Sequence, residues 1–130
     1  MRNIFLINIL LLLATFSYGQ TKVIIKTCTV QYGTELNGKY LMDGKPVEFT
    51  TQFNIDRNYF KHTTSSGNYL YQYVSPAQIR KNNNFTLYLT NDDMSYEVKY
   101  DCLNNTISFI YDDGKSNRVS TFQIDKIKFK

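Results

Sequence analysis

The sequence predicts an all-β fold: a single antiparallel barrel or sandwich of about seven to nine strands in meander order, with one short helical turn. Three observations carry this. From Lys22 onward, short runs alternate apolar and polar residues with period two, the pattern of half-buried strands. Turns rich in Gly, Asp, Asn and Ser separate the runs at short intervals. Of 130 residues, 42% are hydrophobic and 15% aromatic against 20% charged, which suits a packed core and excludes a disordered tail.

The chain opens with a segment of a different kind. Met1-Arg2-Asn3 is a short basic start, Ile4 to Ala14 is apolar apart from Asn8, and Ser17-Tyr18-Gly19 ends in small residues at the cleavage positions. This is the order of a secretory signal peptide over residues 1–19, cut after Gly19, with a single secreted β domain over 20–130. The apolar run is shorter than the roughly 20 residues that span a bilayer, so no membrane span remains after cleavage. Cys28 lies too far beyond the cut to carry a lipid anchor. The expected location is therefore secreted or periplasmic.

The strands follow in order. Lys22 to Tyr32 is the first. Lys39 to Met42 and Pro46 to Ile55 come next, separated by an Asp43-Gly44-Lys45 turn, and Phe49, Thr51, Phe53 and Ile55 share a face. Asp56-Arg57-Asn58 turns the chain into Tyr59 to Thr63, and residues 64–68 turn it into Tyr69 to Val74. Ser75-Pro76 suits a helix N-cap and first position, and Arg80-Lys81 suits a helix C-terminus, so residues 75–81 predict a short helical turn. Phe85, Leu87 and Leu89 then share a face, as do Tyr96, Val98, Tyr100 and Cys102, and Ile107, Phe109 and Tyr111. The last strand spans Arg118 to Phe129. Its inward set shifts from Phe122 and Ile124 to Ile127 and Phe129, which predicts a bulge near Asp125-Lys126. In strand count and meander order the pattern resembles lipocalin-like and fatty-acid-binding-like barrels. There is no Gly-x-Trp near the first strand, so the resemblance transfers no binding residue.

Cys28 and Cys102 are the two cysteines. In an oxidising compartment, with both placed by alternation on apolar strand faces, a disulfide between them is expected, worth about 4–5 kcal/mol in the chain-entropy model. There is no Cys-x-x-Cys for redox work. The lone histidine, His62, has no second histidine to share a zinc ion with, and reads as an ordinary strand residue. Asp92-Asp93 and Asp112-Asp113-Gly114 place acids in loops, where turn chemistry explains them without a calcium site. No metal, cofactor or catalytic residue is expected. Net charge is a modest +4, without the clustered basic face of a nucleic-acid binder. Lys126, Lys128 and Lys130 alternate with Ile127 and Phe129, the solvated face of a last strand that protects a sheet edge.

Tyrosine is the suggestive feature. Tyr69, Tyr71 and Tyr73 line one face of a strand, Tyr88 interrupts a polar face, and Tyr96, Tyr100 and Tyr111 lie on predicted inward faces. Each joins apolar area to a hydroxyl that wants a partner, which suits a pocket for an amphipathic ligand; cross-strand packing is the simpler alternative. The leading expectation is an exported, non-catalytic binding module holding a small amphipathic ligand in a barrel or cleft. The alternative is a protein-interaction module with a filled core: an inhibitor, an immunity-type protein or a cell-envelope accessory. Such a module would pair by strand addition through Lys39 to Met42 or the Lys-rich last strand.

Overall fold

Eight antiparallel strands follow one another and close into a barrel, each paired with its sequence neighbour and the last returning to the first. They are β1 (Val23–Leu36), β2 (Lys39–Ile55), β3 (Phe60–Thr64), β4 (Gly67–Tyr73), β5 (Phe85–Asn91), β6 (Met94–Asp101), β7 (Thr106–Asp112) and β8 (Asn117–Phe129). The computed structural model describes residues 22–130, so the expected signal peptide lies outside the described residues. Among those described, no helix is long and apolar enough to cross a membrane.

The meander is a barrel, not a sandwich. Lys39–Met42 pairs with β1, and β8 pairs with β1 along nearly its whole length. Lys39–Met42 and the Lys-rich end of β8 are each paired on that one side only. β3 meets β2 at Gln52–Ile55 and β7 meets β8 at Asn117–Gln123, so the other side of both segments is unpaired. The lysines of β8 lie beyond its pairing with β7, on a stretch bonded to β1 alone.

The first hairpin turns at Asn37-Gly38, whose φ values of 52° and 81° match the left-handed pair of a two-residue turn. The Asp43-Gly44-Lys45 turn expected from the sequence does not form. Instead β2 runs through it as a bulge: Val30 faces Val47 while Tyr32 faces Asp43, so one residue of β1 opposes a longer stretch of β2. Gly44 takes φ 70° there, and its carbonyl accepts a 2.8 Å bond from the Gln31 side chain.

A second irregularity lies at Cys28. Between Thr27 and Thr29 the register slips against both neighbours, so the inward set passes from Ile25 and Thr27 to Val30, and Cys28 is turned out to solvent. The expected Cys28–Cys102 disulfide is absent: both cysteines are free thiols. Cys102 directly follows β6 and packs against the core, three strand steps round the wall from β1. That is on the order of 14 Å, twice the Cα separation a bridge tolerates. The expected bulge in β8 does form, at Asp125, between the Lys26–Lys126 and Thr27–Ile124 pairs.

The predicted helical turn is also corrected: Ser75 to Lys81 is irregular and extended, with no helix. Ala77 and Ile79 are half-buried against the core while Gln78 and Arg80 are exposed. Burying residues two apart needs an extended chain, and so short a segment cannot offset helix nucleation on its own.

The core is the barrel lumen. It holds Val23, Ile25 and Val30 of β1, Phe53 and Ile55 of β2, Phe60, and the inward residues of β5 to β8. β7 is buried on both faces, since Ser108 and Ile110 are as enclosed as Ile107 and Phe109. Its outer face is covered by the curled β1–β2 hairpin, whose Tyr40 reaches the Ser108 hydroxyl. The curl requires Gly33: a Cβ there would lie 2.5 Å from the Leu41 carbonyl and 2.9 Å from Met42.

Candidate binding site

Period-two alternation sends one aromatic set from each of several strands into the lumen, where the rings meet. Phe53 sits at the centre, with ring centroids 5.8 Å from Phe60, 5.4 Å from Phe109 and 5.2 Å from Phe122. His62 stacks on Phe53 at 4.2 Å. Its Nε2 has no hydrogen-bond partner, and burial lowers its pKa from 6.5 to about 4. A neutral imidazole wedged among phenylalanines is a packing residue, as expected of an ordinary strand histidine.

The tyrosines singled out in the sequence do not form one site. Tyr71 and Tyr96 meet edge to face at 5.4 Å, and Tyr111 adds its ring 5.8 Å from Tyr96. Burial pushes the Tyr71 hydroxyl up to about 12. Tyr69 stands at the rim, 44% exposed and 6.3 Å from His62. Tyr73 belongs to the barrel's other end, donating to the Asp56 carbonyl at 2.6 Å and the Tyr59 carbonyl at 3.0 Å. It therefore ties β4 to the β2–β3 loop, and burial raises its pKa strongly. Tyr100 is buried, 5.0 Å from Phe85. Tyr88 points outward and is 49% exposed.

Space for a ligand lies at the rim and on the wall. A cleft of about 300 Å³ is lined by Tyr88, Tyr96 and Tyr111 with Leu89, Ile110 and Glu97. It joins an outward tyrosine to two inward ones, which alternation within a strand does not foretell. A second cleft of about 480 Å³ lies between Tyr40 of the hairpin, Arg80 and Asn84 of the long loop, and Lys99 and Asp101 of β6. Two of its polar groups are already engaged. Asn84 accepts the Cys102 amide at 2.9 Å. Asp101 caps its own turn, and the Asn104 amide with the other bonds there holds its carboxyl below the usual range. A third groove, about 580 Å³, runs along the outer wall between Lys26 of β1 and Lys126, Lys128 and Lys130 of β8.

The sequence reading missed that last feature, though Lys22 just before β1 and Lys26 within it were there to see. Among the described residues no three His, Cys, Asp or Glu side chains converge as a metal site. The loop acids serve their own turns: Asp112 accepts the Gly114 amide, and Asp113 accepts those of Lys115 and Ser116. Compared with known proteins, the chain matches no family model, and neither the curated proteins nor the solved structures returned a match.

Proposed function

We propose that this chain is an exported, non-catalytic binding module that engages its partner from the outer wall and rim of the barrel. The observation that carries this is the filled lumen: the rings of Phe53, Phe60, His62, Phe109 and Phe122 pack on one another where a carrier would hold cargo. Export rests on the leader grammar of residues 1–19. The absence of catalysis rests on chemistry. His62 is wedged among rings, and the clefts present turn-capping carboxylates rather than a nucleophile–base pair.

A second reading has one observation in its favour. The rim cleft of Tyr88, Tyr96 and Tyr111, floored by Leu89, has the amphipathic lining and the minimum size for a small ligand. Native mass spectrometry of the protein purified from the compartment to which it is exported separates the two. A bare mass supports the outer-surface reading. An adduct released on unfolding, and lost in Tyr96→Ala, replaces it with the rim-carrier reading. Recovery of the uncut chain from the cytoplasm refutes export.

A further inference from the structure

We propose that the outer wall where β8, β1 and β2 meet is a binding face for an anionic polysaccharide chain. The inference rests on the outer-surface reading and names the chemistry of the partner. Closure of the barrel brings the two ends of the described chain side by side. Lys22 and Lys130 exchange backbone hydrogen bonds of 3.1 and 2.8 Å, and Lys26 lies directly opposite Lys126. Lys128 faces Ile24, and the same row continues through Asn54 to Lys61 of β3. All these lysines project outward, because their neighbours Val23, Ile25, Ile127 and Phe129 point into the core.

Like charges placed directly opposite in a ladder are destabilising. No ion pair forms within the wall, where Asp125 stands exposed beside Lys126 at the β8 bulge. The side chains between are the amides of Gln52 and Asn54, bonded to each other at 3.2 Å. The ion pairs among the described residues, Lys99–Glu97 and Arg118–Asp43, lie elsewhere. A face in which lysines outnumber the Asp125 carboxylate and none is held in an ion pair is complementary to a polyanion.

Shape and lining select which polyanion. Lys126, Lys128 and Lys130 recur every second residue, about 6.8 Å apart along the strand, and line one side of the groove while Lys26 lines the other. A railed groove suits a linear chain bearing regularly spaced sulfates or carboxylates, with the Gln52 amide placed to bond hydroxyls. It contains no aromatic ring on which a base would stack, unlike sites for single-stranded nucleic acid. Its apolar members, Ile24 and Ile127, are half-buried, so nothing is offered for insertion into a bilayer.

The test is fluorescence anisotropy of a labelled heparin oligosaccharide with the exported protein. Binding is expected to weaken about tenfold or more between about 50 and 200 mM salt, as counterion release requires. The double variant K126E/K128E is expected to lower affinity by about tenfold or more, and K126Q/K128Q by a smaller factor in the same direction. The control K39E/K45E carries the same charge change on the hairpin and is expected to lose less than about threefold. Circular dichroism confirms that each variant is folded. Absence of binding, equal loss in patch and control variants, or tighter binding to a single-stranded oligonucleotide or to phosphatidylglycerol vesicles would each overturn the proposal. The bare or adducted mass reports on the outer-surface reading separately, so failure of that reading is distinguished from failure of this inference.

Discussion

Acidification from about pH 7 to pH 5 will destabilise this barrel through one side chain, His62, and His62→Phe will remove that loss. In the folded protein the imidazole stacks 4.2 Å from Phe53, within ring contact of Phe109, Phe122 and Tyr69. The cause of its lowered pKa, from 6.5 to about 4, is burial, and no carboxylate acts on it. The unfolded chain keeps the ordinary value near 6.5, so between the two values the unfolded state binds the extra proton. Stability is therefore complete above the unfolded pKa and is lost as pH falls towards the folded one. The full gap corresponds to about 3 kcal/mol, of which about 1.8 falls between pH 7 and 5. Because the ring is only partly buried, solvent screening reduces this to about 1–1.5 kcal/mol.

Urea unfolding of wild type and His62→Phe at both pH values measures the difference directly. Phenylalanine keeps a flat ring against Phe53, so the variant is expected to match wild type at pH 7 within about 1 kcal/mol. Glu35, Asp101 and Asp113 have lowered pKa values, and they withdraw their stabilisation only below the ordinary carboxylate range, outside this window. Equal losses in the two proteins, or a His62 resonance titrating near 6.5, would refute the reasoning.

Other outcomes follow from the same structure. Phe53→Ala removes the ring on which the lumen is assembled and is expected to cost about 3–5 kcal/mol in urea unfolding. Gly33→Ala drives a Cβ against backbone of β2 and is expected to cost about 1–3 kcal/mol, with the loss of Tyr40 packing visible in tyrosine fluorescence. Tyr73→Phe, which deletes the donor to the Asp56 and Tyr59 carbonyls, is expected to cost about 1–2 kcal/mol. Thiol titration of the native protein will find Cys28 reacting at once and half-buried Cys102 more slowly; an unreactive native chain with no titratable thiol would contradict the free-cysteine geometry.

Alternation along the chain determined that strands form and, for most of them, which residues face inward. Phe53, Leu87, Val98 and Phe109 were legible because side-chain direction in a strand depends only on parity. The Asp125 bulge was legible for the same reason, since an added residue breaks parity visibly. Cys28 was not: a bulge that reverses parity at a cysteine leaves no mark when the residues on either side are threonines. The Asn37-Gly38 hairpin carried its signal in the sequence, whereas Asp43-Gly44-Lys45 looked like a turn and became a bulge because β1 continued beside it. The loop of Ala77 and Ile79 was decided by the core it had to cover, not by its own helix signals.

The tyrosines mark the limit most plainly. Parity tells whether Tyr73 and Tyr96 point in, and says nothing of how far along the barrel axis each lies, which strand register sets. Register across β8 and β1 is set by closure, between segments at opposite ends of the described chain. For that reason the meeting of Lys26 with Lys126, and of Lys22 with Lys130, belongs to the tertiary structure alone.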